Sequence, residues 1–200
     1  MKRDHDSRDA AATLAAARAY AALGWSVIPV EARGKRPGLP WLEFQKRRAS
    51  PAEIDDWFTH RRDANVGVVT GAISGIVVLD VDADHSGIAS LQRLAIEYGP
   101  LPVTVEARTG GGGRHLYFAH PGVTIANRVG LFPGIDVRGD GGCIVTPPSL
   151  HASGRHYTWA GGRGPNEVAV AALPAWLRDV LQPRTARPGE KGIGSTRTSG

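Results

Sequence analysis

The sequence predicts an α+β fold. Three observations carry that prediction. The β-rich runs at residues 75–82, 104–109 and 114–120 bracket one helical segment in a central βαββ pattern. Further β-rich runs follow at residues 134–139, 142–149 and 155–159 without the regular helix between each pair that a parallel βα array requires. Finally, 200 residues with 42% apolar content suffice for one ordinary core.

The elements follow in order. Residues 7–23 are alanine-rich and read as a helix stopped by Gly24. Residues 25–30 (WSVIPV) read as a short buried strand, and residues 31–49, with Gly34, Pro37, Gly38 and Pro40, as loop. Ser50-Pro51-Ala52-Glu53 is a helix start, because Ser caps, Pro suits the first turn and Glu closes a capping box; that helix runs to about His60. Residues 65–71 and 75–82 are β-rich runs joined by a short turn. Ser86 is positioned to cap a helix over residues 88–98, stopped by Gly99 and Pro100. Four glycines, Gly110 to Gly113, turn one strand into the next. Residues 134–139 and 142–149 form a pair around Asp140-Gly141, and residues 172–181 a final helix. Residues 1–182 form the folded domain. The Pro-, Gly-, Ser- and Arg-rich residues 183–200 read as a flexible basic linker.

No apolar run approaches the roughly 18–20 residues that span a membrane, and the charged start lacks a secretory apolar region. The single Cys143 excludes an internal disulfide and a cysteine-based zinc site, and it fits a reducing cytoplasm. The net charge is +5 and the sequence pI about 9.8, a balance compatible with phosphate or nucleic-acid binding. Lys35 and Arg36 belong to the most basic stretch, which reads either as a phosphate-contacting loop or as a solvated one.

Asp80-Val81-Asp82 is the strongest chemical signal. Residues two apart on a strand share a face, so the two carboxylates point the same way at the end of an apolar run. Two adjacent carboxylates repel, and a divalent cation resolves the conflict; hard oxygen ligands select magnesium or manganese. The competing reading is a strand end followed by turn residues. An EF-hand is excluded, since His85 stands where its glycine belongs and Leu91 where its glutamate belongs. In the turn that follows, glycines admit close backbone approach to phosphate, Thr109 supplies a hydroxyl, Arg114 a charge and His115 an imidazole. A hairpin turn with a half-buried histidine explains the same residues. The turn is neither a Walker A loop nor a dinucleotide fingerprint. Asp136 and Arg138 share a strand face and form either an ion pair or a third metal ligand beside a phosphate contact. Ser149 and His151 are weaker candidates that read more readily as a surface turn. His5, His60, His85, His120 and His156 show no partner pattern.

Taken in order, GWSVIPV with GKRPGLPW, NVGVVTG, GIVVLDVD, TGGGGRHLYF and IDVRGDGGCIVTPPSLHASGRHYTW resemble the N-terminal domain of bifunctional DNA primase/polymerases, in the archaeo-eukaryotic primase superfamily. The resemblance covers residues 24–159. It implies an RRM-like catalytic lobe packed on a smaller α/β lobe. It also implies Asp80, Asp82 and Asp136 as ligands of catalytic Mg2+ or Mn2+, and His115 at the incoming triphosphate. Read from the residues themselves, Thr109, Gly110, Arg114 and Arg138 are further candidate nucleotide contacts. The implied partners are a DNA template and primer, nucleoside triphosphates and, as in many members, a helicase domain beyond residue 200. Lys35 and Arg36 become candidate nucleic-acid contacts. The implied setting is replication of a plasmid, phage or integrated element. The zinc insertion of some relatives is missing in its usual form. Two rival functions fit parts of the sequence: a nucleotide-sugar transferase built on Asp80-Val81-Asp82, and a non-catalytic RRM-like nucleic-acid-binding module. The later ordered motifs disfavour the first. The aliphatic, acidic strand before Asp82 disfavours the second.

Overall fold

The computed structural model describes residues 2–182, with side chains from residue 9 onward. The tail at residues 183–200 lies outside the described residues. The fold is α+β, with four α-helices and two sheets among the described residues.

The smaller sheet is antiparallel, ordered β1 (Ser26–Val30), β2 (Asn65–Val69), β8 (Cys143–Thr146). Every residue of β1 and β2 is buried, as their apolar runs demand. Helices α1 (Lys2–Ala22) and α2 (Pro51–His60) pack on it. The predicted capping box of α2 is present: Glu53 N–H donates to Ser50 Oγ at 3.3 Å, and Ser50 N–H donates to Glu53 Oε2 at 2.8 Å. The basic stretch before it contains one 3-10 turn, Leu42–Gln45, and Arg47 is neutralised there by Glu43 and Glu53. Trp41 packs partly buried against Ile28, Phe44 and Val69.

The larger sheet runs β6 (Arg128–Phe132), β7 (Ile135–Arg138), β3 (Ile76–Val81), β5 (Arg114–Ala119), β4 (Glu106–Arg108), β9 (Thr158–Trp159), all antiparallel. Past the end of β4, strand β10 (Ala171–Ala172) joins β5 in parallel. Strand alternation divides the apolar residues of β3 between two cores. Ile76 and Val78 join Tyr117, Val27, Val66, Val68, Ile54 and Phe58 between the sheets. Val77, Leu79 and Val81 face Leu94 of α3 (Gly87–Tyr98) and Leu177 and Leu181 of α4 (Ala175–Leu181).

Several expectations are corrected. Residues 134–139 and 142–149 do not pair with each other. The chain crosses at Asp140-Gly141 from β7 in the large sheet to β8 in the small one, where Asp140 accepts Ala72 N–H and Ile125 N–H at 2.8 Å each. Ser86 does not cap α3 with its side chain; it adopts φ +66, and Gly87 N–H donates to Asp82 O at 3.0 Å. Strand β6 was not foreseen. The final helix starts at Ala175, because Ala171–Ala172 are drawn into the sheet and Pro174 intervenes.

Candidate active site

Strand register brings three of the singled-out residues to one level. Asp80 on β3 faces Asp136 on β7 on one side and His115 on β5 on the other. All three continue the row of Ile76, Val78 and Tyr117, so they lie on the sheet face turned toward the small sheet. Asp80 and Asp136 are each 24% exposed at the side chain, whereas His115 is buried. Nε2 of His115 lies 3.3 Å from Asp80 Oδ1, and its Nδ1 has no partner among the described residues. Arg138, one register step away, reaches Asp136 Oδ2 at 2.8 Å and Asp80 Oδ2 at 3.4 Å. The ion-pair reading of Asp136 and Arg138 therefore holds, extended to Asp80. Gly130 N–H donates to the other oxygen of Asp136 at 2.7 Å.

Burial alone raises the pKa of the Asp80 carboxyl. The hydrogen bond and charge of His115, with Arg138 and Lys35, outweigh it and hold the group down at about 2. Asp82, just past the strand end, is half exposed and accepts from His85 Nδ1 at 2.8 Å and from Asp84 N–H at 3.0 Å. The bond to His85 lowers the Asp82 pKa and raises that of His85.

The glycine turn is built for close packing. A Cβ on Gly113 would run into the Val81 carbonyl, and one on Gly110 into His151 and the Arg155 carbonyl. Gly112 has φ +94, a conformation glycine adopts freely. Thr109 Oγ1 accepts Gly113 N–H at 2.9 Å, which leaves its own proton free to donate. The Gly110 carbonyl is taken by Ser153 Oγ at 2.8 Å and Arg155 Nε at 2.7 Å.

Asp80, Asp82, Asp136, Thr109, Lys35 and Arg138 line one cleft of about 480 Å³, together with His85 and His151. Neither histidine was favoured in the sequence. His85 reaches Asp82 three residues away, a spacing open to inspection; His151 arrives from a distant loop. Four predicted residues do not line it, and one of them is His115, buried beside Asp80. Arg36 is exposed and does not line the cleft. Arg114 precedes His115 on β5, so alternation turns it to the opposite face, where its guanidinium binds Glu106 at 2.7 Å. Gly110 shapes the turn without lining the cleft. A larger hollow of about 770 Å³ lies between α1 and residues 148–150. It contains none of the three acids, so size does not identify the site.

Asp80, Asp82 and Asp136 offer the hard oxygen donors that magnesium and manganese take. Among the described residues, no three His, Cys, Asp or Glu side chains form a ready-made cage. Magnesium is usually bound by one or two carboxylates together with water and substrate phosphates, so an open set of acids lining one cleft fits that chemistry.

The fold is that of an α+β protein with acids and a glycine turn on one sheet face. The family model for the bifunctional DNA primase/polymerase N-terminal domain matches residues 17–176, and the chain belongs to that family. Membership implies a primase/polymerase-type nucleotidyltransferase role. No curated protein matches the chain. Among the described residues, no helix is long and apolar enough to cross a membrane.

Proposed function

We propose that the chain is a template-directed nucleotidyltransferase that adds nucleotides to a 3′-hydroxyl and releases pyrophosphate. The observation that carries this reading is the single register level of Asp136, Asp80 and His115 across three adjacent strands, with the two acids opening on a cleft beside the glycine turn and His115 buried behind Asp80. The βαββ core, with α3 and α4 on one sheet face and the acids on the other, supports an RRM-like catalytic lobe. The small sheet with α1 and α2 is then the second lobe.

In this reading Asp80, Asp82 and Asp136 hold Mg2+ or Mn2+, which supply Lewis-acid activation of the attacking hydroxyl and neutralise the triphosphate. The protein's own groups position the substrate. Thr109 donates its hydroxyl proton to a phosphate oxygen, Lys35 and Arg138 contribute positive charge, and His115 sits under the triphosphate with its orientation fixed by Asp80. In-line attack forms the new O–P bond at the α-phosphorus as the bond to pyrophosphate breaks. The partners are a DNA template and primer, with a helicase beyond residue 200 a further candidate. Replication of a plasmid, phage or integrated element is the proposed setting.

The test is template-dependent incorporation of labelled nucleotides, with and without a primer, in magnesium and in manganese. Wild type is expected to incorporate and Asp80→Ala/Asp82→Ala to be inactive. Full activity in the double variant would remove the assignment. Metal-independent nucleic-acid binding with no synthesis by wild type would support a binding module instead.

A further inference from the structure

The glycine turn separates two hollows, and only one of them belongs to the cleft already described. Thr109 and Gly113 line both. On the far side of the turn, a hollow of about 630 Å³ is bounded by Arg108, Arg114, Arg163 and Glu106. Among the described residues Glu106 is the only acid lining it, and its side chain is 7% exposed. Its two oxygens hold two guanidiniums in place. Oε1 accepts from Arg114 Nε at 2.7 Å, while Oε2 accepts from Arg114 Nη2 at 2.9 Å and from Arg163 Nη1 at 2.8 Å. Backbone pairing fixes the same arrangement, since Glu106 N–H donates to the Arg163 carbonyl at 3.0 Å. Arg114 keeps Nη1, and Arg163 keeps Nε and Nη2, unspent on Glu106. Arg108 is exposed and makes no ion pair among the described residues. Three cations against one carboxylate leave the hollow with two positive charges in excess.

Such a site is poorly explained as a stability device. One arginine would neutralise Glu106; the second and the unpaired third add repulsion. A fork of guanidiniums held by a buried carboxylate, with donors left over, suits phosphate oxygens and loses little side-chain entropy on binding. The hollow also has a fixed relation to the cleft. Arg114 and His115 are consecutive on β5 and point to opposite faces, so the two sites lie back to back around the end of one strand.

We infer that the Arg108–Arg114–Arg163 hollow binds the phosphodiester backbone of a nucleic-acid strand as it passes around the glycine turn, separately from the triphosphate cleft. The inference rests on the nucleotidyltransferase reading for its ligand class. It goes beyond that reading by placing a strand contact on the opposite sheet face and by assigning Arg114 to it. Each arginine–phosphate contact releases bound counterions, so the site contributes a salt-dependent, sequence-independent part of the affinity.

The experiment measures binding of a fluorescent single strand and of a primer–template by anisotropy across a salt series, for wild type, Arg108→Glu and Arg108→Ala/Arg163→Ala. Arg108 is exposed and unpaired, so its replacement leaves the fold intact; in the double variant Glu106 keeps its pair with Arg114. The expected result is about a tenfold loss of affinity in the double variant. The slope of log K against log salt should also become shallower, by about 1.4 for the single strand and about 1.8 for the duplex part of the primer–template, as two lost phosphate contacts require. In steady-state incorporation the KM for nucleic acid rises while the KM for nucleotide holds. Unchanged affinity and slope in both variants would overturn the inference. So would a rise in nucleotide KM alone, or competition by inorganic phosphate as strong as that by the strand, because the hollow would then serve a free phosphate. Failure of the wild type to incorporate nucleotide, with the strand-binding loss still present, would sink the catalytic reading and leave this site standing.

Discussion

Arg138 shows how a residue that looks like a plain counter-ion constrains a site. Its guanidinium touches both Asp136 and Asp80, which are direct register partners on adjacent strands. Replacing it with methionine leaves two partly buried acids without their shared cation. Because all three side chains are roughly a quarter exposed, the expected loss is discounted to about 1–2 kcal/mol of stability, read as a lower urea midpoint. If Asp80 and Asp136 bind metal as proposed, millimolar Mn2+ should raise the thermal midpoint of Arg138→Met more than that of wild type, and chelation should reverse it. No such difference would count against the metal assignment. The glycines make a second residue-scale prediction. Gly113→Ala pushes a methyl into the Val81 carbonyl and should cost about 1–3 kcal/mol. The same change at Gly111, whose added Cβ meets nothing nearer than 3.6 Å, should leave the urea midpoint close to wild type. Gly-rich loops invite a phosphate reading from sequence, yet Gly110 and Gly113 are explained here by backbone packing. Asp80 is legible in the sequence as a candidate site residue because a charged side chain ending an apolar strand is anomalous. Its pairing with Asp136, 56 positions later, is not, because register is set by tertiary packing. Arg114 stands apart from the cleft for a simpler reason: consecutive side chains on a strand point to opposite faces, so Arg114 and His115 diverge.

At the scale of elements, helix α2 was the most legible part of the chain, since its start signal is local and chemical. Ser50 and Glu53 cap one another, and Arg47 adds two bonds to the Glu53 carboxylate at 2.8 and 2.9 Å. The Arg47 bonds, followed by those from Ser50, lower the Glu53 pKa from 4.5 to about 2. A depressed carboxylate stabilises the native state above its unfolded pKa, and that contribution fades as pH falls toward its folded value. Glu53→Gln should therefore be less stable than wild type by about 1 kcal/mol at neutral pH. Thermal melts should show the gap narrowing from pH 4.5 downward and closing near pH 2. A gap that stays constant over that range would mean the carboxylate charge is not what the cap uses. Strand β6 escaped sequence reading because its residues are mostly exposed, with no alternation to mark a buried face; Val129 is 79% exposed. The Asp140-Gly141 turn was misread because hairpin chemistry and a sheet-to-sheet crossing use the same residues. The pairing of β7 with β3 and of β8 with β2, pinned by the long-range bonds of Asp140 to Ala72 and Ile125, distinguishes them.

At the scale of the whole molecule, the candidate cleft depends on both sheets at once. Its acids stand on the large sheet, while Lys35 follows β1 and His151 follows β8 of the small one. The two sheets share one core, in which Trp25, just before β1, stacks on Tyr117 of β5 with centroids 5.6 Å apart and planes 9° from parallel. Tyr20 of α1 touches the same cluster and donates its hydroxyl proton to the Pro147 carbonyl at 2.7 Å. A core assembled from both sheets makes independent unfolding of either one expensive, so the described residues should unfold as one cooperative unit. Trp25→Ala tests this, because it removes a large buried ring from the junction and is expected to cost about 3–5 kcal/mol. The background has Trp41, Trp57 and Trp159 replaced by phenylalanine, so that Trp176 is the variant's emitting residue. Followed by far-UV circular dichroism and by fluorescence of Trp176, which stacks on Tyr98 against the core on the other side of the large sheet, the variant's urea transitions should shift together. Amide exchange should accelerate to a similar extent in β2 and β3. Fast exchange confined to β2, with Trp176 reporting an unshifted transition, would show instead that the small sheet opens alone. The cleft would then lose its Lys35 and His151 wall without global unfolding.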